Sequence, residues 1–294
     1  MNPILKLWPV LLFWLFVNTA YAQMHDPAPQ KVTSVYIPDT LYFCGERVPL
    51  EDPDIRERLD YELLLNTYRH ARMLWLLKLE GRWREPLVRG LREANVPDDM
   101  FYVAACESDL NHYVESSKGA LGIWQFMKET ALEMGLEITD ELDQRRDPIL
   151  TTRAVCKYFN QAHKKFGNWT SAAASYNRGM NGLQRALDGQ KVSSYYDLYL
   201  NPETKHYIFR VLALKLIFEN PARYGFIIQE ADKLPPFRYT EVSVSETIPS
   251  LADFAKQHGI NYKILKYYNP WLEGGDYSFD VPKGKTYVFK IPAK

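Results

Sequence analysis

Residues Phe101–Ser108 read FYVAACES, six largely apolar side chains followed by Glu107 and Ser108. Pro97, Asp98 and Asp99 stand just before them, residue types that open a helix and suit its positive end. The stretch predicts a helix over Pro97–Ser108 that is buried along most of its length and carries a carboxylate in its last turn. The negative end of the helix dipole and an apolar surround both disfavour the ionised form. Glu107 is therefore expected to keep its proton more readily than a surface glutamate, as a general acid requires.

On the N-terminal side, apolar residues recur at helical spacing from Ile55 to Glu80 (Leu59, Leu63, Leu64, Tyr68, Met73, Leu76, Leu77), with no Gly or Pro before Gly81. Further helices are expected over Pro86–Ala94, Trp124–Met134, Ile149–Phe166, Trp169–Tyr176 and Glu203–Phe218. No long alternating pattern interrupts them, so residues 55–228 read as a mainly α body punctuated by glycines. Residues 229–236, ending in Leu234-Pro235-Pro236, read as a linker. Residues 237–294 then give strand, helix, helix, strand: Tyr239–Val244 alternates, Ser250–Gln257 and Tyr262–Tyr268 are short amphipathic helices, and Thr286–Ile291 alternates again.

At the other end, Leu7–Val17 is an apolar run behind Lys6, followed by Ala20-Tyr21-Ala22. It is shorter than the roughly 20 residues needed to cross a bilayer and is interrupted by Pro9. Residues 1–22 are thus expected to be a signal peptide cleaved after Ala22, and residues 23–54 an extended, proline-rich arm. An exported protein, in the periplasm and associated with the cell wall or outer membrane, is the corresponding expectation.

Composition sets the outer limits. The 294 residues are 46% apolar and 24% charged, with 36 basic against 36 acidic side chains, a globular balance that argues against a disordered tail and against nucleic acid as a partner. Cys44, Cys106 and Cys156 match no zinc spacing, and the six His are scattered, so no metal or other cofactor is expected. Asn168-Trp169-Thr170 fits the glycosylation pattern by chance in a bacterial host.

Three further stretches come after FYVAACES in order. Ser116–Met127 reads SSKGALGIWQFM, a two-glycine loop expected to run into a helix whose first turn carries Trp124 and Gln125; Ala172–Gly179 reads AAASYNRG; Glu203–Tyr207 reads ETKHY. Each alone has a structural explanation. Together they resemble the lytic transglycosylases of glycoside hydrolase family 23, which share a goose-type lysozyme-like domain. Glu107-Ser108 matches the family's catalytic Glu-Ser, Ser116 with Gly119-Ala120 and Gly122-Ile123-Trp124-Gln125 its loop, and Ser175-Tyr176-Asn177-Arg178-Gly179 its Ala-Tyr-Asn-x-Gly. Asp143–Pro148 and Glu203-Thr204 with Tyr207 are similar to stretches in the branch called membrane-bound lytic murein transglycosylase D. Ser175 departs from the usual Ala, and Cys106 from a small aliphatic residue. Gln23 stands where a lipid-anchored member would have Cys.

The resemblance implies a lysozyme-like catalytic domain that cleaves the β-1,4 bond between N-acetylmuramic acid and N-acetylglucosamine in peptidoglycan and leaves 1,6-anhydro ends, without a cofactor. It makes Glu107 the catalytic residue and Ser108, Ser116, Gln125, Tyr176, Asn177 and Glu203 candidates for binding substrate. Ordinary glycosidases need two carboxylates; the family uses one, aided by the substrate's own acetamido group, with the C6 hydroxyl attacking C1 in place of water. Asp109 and Glu115, close in sequence to Glu107, are expected to be solvated loop residues. Residues 237–294 resemble a LysM domain, with Ser245-Glu246-Thr247 for the usual Gly-Asp-Thr and Asn269-Pro270 for its Asn-Pro; it would bind glycan or only pack on the body. Glycan strands are the expected partner of a monomer that meets cell-wall synthesis or remodelling proteins. A hydrolytic muramidase on the same fold and a non-catalytic wall-binding scaffold are the alternatives.

Overall fold

The computed structural model describes residues 32–273 and 277–293. The expected signal peptide and the first part of the arm lie outside them. Every helix and strand of the described residues belongs to the unit that starts at Val35.

Residues 41–48, expected to be part of an extended arm, pair instead as a hairpin of β1 (Leu41–Phe43) and β2 (Glu46–Val48). Its turn uses Cys44 and Gly45, both at positive φ, the geometry that matches the twist of paired strands. Phe43 and Val48 are buried in the main core.

Helix α1 spans Pro53–Thr67, capped by Asp52, and α2 spans His70–Glu93. The single helix expected over Ile55–Glu80 is thus broken at Tyr68 and Arg69, and α2 runs on through Gly81 and Pro86. Gly81 is there for proximity: a Cβ on it would lie 2.7 Å from the Lys233 Cβ and 2.8 Å from the Leu234 oxygen. The Leu234 amide donates to the Lys78 carbonyl at 2.9 Å, so the segment read as a linker is pinned to α2.

A 3₁₀ turn, Asp98–Met100, leads into α3 (Phe101–Ser108), whose residues Phe101–Ala105 are fully buried. Helix α4 covers only Lys128–Glu133, α5 Pro148–Phe166, α6 Trp169–Arg178, α7 Met180–Gln190 and α8 Pro202–Glu219. The caps explain the boundaries: Asp147 accepts from the Ile149 and Leu150 amides ahead of Pro148, Gly167 ends α5 in the left-handed region, and Asn168 accepts from Ser171 N. Helix α6 is held a second time, by Glu46 of the hairpin, which accepts from the Trp169 and Thr170 amides and the Thr170 hydroxyl.

The C-terminal βααβ module matches the sequence reading closely. Strands β3 (Tyr239–Val244) and β4 (Tyr287–Pro292) pair antiparallel from Tyr239↔Pro292 to Val244↔Tyr287, with α9 (Leu251–Gln257) and α10 (Tyr262–Tyr268) between them. Its core includes one residue of the body, Leu142, at 2% exposure. Around Leu142 the segment 137–147 is laced to the module. Leu142 bridges Leu272, the Asp143 amide donates to the Trp271 carbonyl at 2.8 Å, and the Glu273 amide to the Glu141 carbonyl at 2.7 Å. Arg146 pairs with Glu273, Lys285 with Glu137, and Lys290 with Asp147. Among the described residues no helix is long and apolar enough to cross a membrane.

Candidate active site

Glu107 occupies the last turn of α3, which ends at once because Asp109 takes the left-handed conformation. Its Oε1 accepts a 2.5 Å hydrogen bond from the hydroxyl of Tyr207, on α8. Burial pushes the Glu107 carboxyl up to about 7; the Tyr207 hydrogen bond and the Arg210 charge oppose that rise, and the Glu203 charge adds to it. The apolar run before Glu107 points in the same direction. Tyr207 itself is raised well above 10, by burial first and then by the Glu107 charge, so it remains a donor across the working pH range.

The loop after α3 is not the helix start expected for Trp124 and Gln125. Gly119, Gly122 and Gln125 all have positive φ, and the chain folds back through bridges Glu115↔Leu121 and Leu121↔Phe126. Gly122 is required: a Cβ there would sit 1.9 Å from the Arg145 carbonyl oxygen. Arg145 in turn pairs with Asp143 and donates to the Gly119 and Phe126 carbonyls at 2.9 and 3.2 Å, so 137–147 clamps the loop. The Gln125 amide ties the loop internally, donating to Val114 O at 3.0 Å and Gly122 O at 2.9 Å. Ser116 accepts from the Ala120 amide at 2.9 Å.

Two contacts fasten the loop to α3 and to α6. Ser108 donates to the Ile123 carbonyl at 2.7 Å, and Tyr176 donates to the Trp124 carbonyl at 2.6 Å. Trp124 is fully buried, its indole N–H donating to Thr152 at 2.9 Å. Ser108, Gln125 and Tyr176 thus hold the loop through its backbone carbonyls. Asn177, half-buried at the end of α6, makes no side-chain hydrogen bond among the described residues and is available to a ligand.

Glu203 sits in the first turn of α8, exposed, on a neighbouring pocket of about 670 Å³ shared with Glu62, Cys106, His206 and Arg210. Ser116, Gln125 and Asn177 do not line that pocket. Two buried groups escaped the residue patterns. Tyr207, which the sequence offered only as part of a resemblance, is the direct partner of Glu107; its i,i+4 spacing from Glu203 places both on one face of α8. Glu62 is buried, its carboxyl pushed up to about 7 by desolvation, with His206 Nδ1 at 3.1 Å. Glu115 is a loop residue with a largely exposed side chain, whereas Asp109 is held by Arg72, whose Nε lies 2.9 Å from Oδ2. All three cysteines are free, so Cys106 and Cys156 are not bridged.

Residues 88–198 match the transglycosylase SLT domain family, and residues 240–294 match the soluble lytic transglycosylase C-terminal LysM-like domain. The membrane-bound lytic murein transglycosylase D of Escherichia coli K12 is 28% identical over 268 residues, covering 87% of this chain and 56% of that protein. A putative tributyltin chloride resistance protein of an Alteromonas species is 32% identical over 106 residues, 36% of this chain and 51% of its own. The chain therefore spans little more than half the length of these relatives. The 70 kDa soluble lytic transglycosylase of Escherichia coli superposes with a TM-score of 0.41 at 19% identity over 56% of this chain and 31% of its own, a partial likeness. On the two domain matches, the chain carries a transglycosylase SLT domain followed by the LysM-like domain of the soluble lytic transglycosylases.

Proposed function

We propose that this protein is an exported lytic transglycosylase that cleaves the β-1,4 bond between N-acetylmuramic acid and N-acetylglucosamine in peptidoglycan. The observation that carries the reading is Glu107 itself, a carboxyl held near pH 7 by burial and oriented by the Tyr207 hydroxyl. Such a group is protonated often enough to act as an acid and ionised often enough to act next as a base.

In the first step Glu107 gives its proton to the glycosidic oxygen as the C1–O bond breaks. In the second, the ionised Glu107 takes the proton of the sugar's C6 hydroxyl while that oxygen bonds to C1, closing the 1,6-anhydro ring and restoring the acid. No water is consumed. The intramolecular attack gains its rate from proximity, which demands a rigid cleft. The clamped loop carrying Ser116 and Gln125, the Ser108 and Tyr176 ties to it, and the unpartnered Asn177 amide support that requirement. Glu203, which raises the Glu107 pKa, favours the protonated acid at the start of the cycle. Export is assigned to residues 1–22 on the Ala20-Tyr21-Ala22 pattern.

The test is mass spectrometry of fragments released from purified sacculi by the wild-type protein and by Glu107→Gln. Anhydro-muramyl ends, one water lighter than reducing ends and absent with the variant, are expected. Reducing ends would make the protein a hydrolase, and binding without release a scaffold.

A further inference from the structure

The seam between α2 and the βααβ module encloses a pocket of about 400 Å³, within the size range of small-ligand sites. Arg82, Trp83 and Arg89 line one wall and Phe237, Tyr267 and Tyr268 the other. Neither part could form it alone, and the walls are fixed to each other. The Trp83 and Phe237 rings meet edge to face at 5.6 Å, and Arg82 donates to the Tyr267 hydroxyl and the Pro235 carbonyl at 3.3 Å each. None of the residues bonded to Glu107 lines it. We propose that this seam pocket is a second binding site for peptidoglycan, one that takes a carboxylate-bearing amino-sugar unit away from the cleft that holds Glu107. The proposal rests on peptidoglycan being the substrate at Glu107.

Aromatic rings and unpaired cations select that ligand. Tyr267, in the lining, leaves 38% of its surface open, and such a flat ring accepts the C–H face of a pyranose. The Arg82 guanidinium carbon lies 4.6 Å from the Phe237 ring centroid, and with Nε and Nη1 given to Pro235 and Tyr267, its Nη2 is left for a further partner. Among the described residues no carboxylate lies within ion-pair distance of Arg82 or of Arg238, which also lines the pocket. The other cations are satisfied, Arg89 by Glu85 at 3.1 Å and Lys290 by Asp147 at 2.6 Å. Glu85 is the one acidic side chain in the lining. His112, also in the lining, is pushed down to about 4 by burial; the Asp147 charge opposes that drop, and Arg82, Arg146 and Lys290 add to it. An uncharged glycan would leave two guanidinium groups unanswered. A muramyl unit brings a carboxylate, from its lactyl group or from a peptide stem, joined to a sugar ring.

The experiment is calorimetric titration of the full chain bearing Glu107→Gln with three soluble probes: the N-acetylglucosamine–N-acetylmuramic acid disaccharide with a free lactyl carboxyl, the same disaccharide carrying a tripeptide, and uncharged chitotetraose. Two binding events are expected with at least one carboxylate-bearing probe, and the probe that shows both identifies the source of the carboxylate. Adding Tyr267→Ala, or the exposed charge reversal Arg238→Glu, should weaken one event at least tenfold and leave the other. A single event with both charged probes, a second event indifferent to both substitutions, or chitotetraose filling the second site as well as the charged probes overturns the proposal. If the Glu107→Gln protein binds no saccharide and the wild type is inert on sacculi, the proposed function falls with it; if sacculi are cleaved and only one site binds, the second site alone falls.

Discussion

The Tyr207 hydroxyl donates its hydrogen bond to Glu107 from a position 100 residues further along the chain. Two helices that are remote in sequence therefore set the ionisation of a single carboxyl. A donor to a carboxylate stabilises the charged form and lowers its pKa. Tyr207→Phe should raise the Glu107 pKa above its present value, moving the alkaline fall of kcat/KM to higher pH. It should also lower the maximal rate, by about 10- to 100-fold, because the acid loses its orientation. A pH–rate profile on soluble glycan fragments checks both; an unmoved alkaline limb would show that Tyr207 does not tune the acid.

The same carboxyl should weaken the fold. Its folded pKa, about 7, lies above the ordinary 4.5, so the folded state binds the proton more tightly. That contribution is fully present below pH 4.5 and is lost as pH rises to 7. Glu107→Gln carries no ionisable group, and it should therefore gain stability over the wild type between pH 4.5 and 7, by about 3 kcal/mol at most. Urea denaturation at pH 4 and pH 8 measures the difference, and an equal gap at both would contradict it.

Gly122→Ala places a Cβ on backbone at the Arg145 oxygen, with φ at +82°. The loop must move or the residue must strain, so a loss of about 3 kcal/mol or more is expected, together with loss of activity. Gly119, at φ +81° with nothing within 4 Å, should tolerate Ala at a smaller cost. Thermal melts of the two variants side by side test the contrast.

Leu142→Ala removes the body's contribution to the module's core, at a cost of about 2–5 kcal/mol. Because the same segment clamps the Gly119–Phe126 loop through Arg145, activity should fall with stability. Loss of stability with full activity per folded molecule would show that the clamp does not reach the site.

The main secondary structure was legible where local chemistry and packing agree. FYVAACES reads as a buried helix because its apolar run has nowhere else to go, and the βααβ module reads well because strands of alternating residues bracket two capped helices. The reading failed where tertiary contacts override the pattern. Trp124 and Phe126 look helical, but positive φ at Gly122 and Gln125 folds them into a turn that fits against Arg145. Gly81 looks like a helix stop and is a close approach to Leu234. Helix α7 was hidden by Gly182 and Gly189, although Leu183 and Leu187 keep helical spacing and are buried. At the site, Glu107 announced itself by its surroundings in sequence. Glu62 could not, since burial in the folded chain raises its carboxyl, against the Arg210, Arg69 and Arg72 charges.

The bond from Asp143 to Trp271 and the pairing of Arg146 with Glu273 place residues of the βααβ module behind the segment that clamps the Gly119–Phe126 loop. Synthesis proceeds from the other end, so Trp271 and Glu273 are made after Glu107, Tyr176 and Tyr207. A ribosome-stalled or proteolytically clipped fragment ending before Trp271 would contain Glu107, Gln125 and Tyr176 yet lack the strap that secures the 137–147 segment. The support behind the Gly119–Phe126 loop is then complete only once Trp271 and Glu273 have been made.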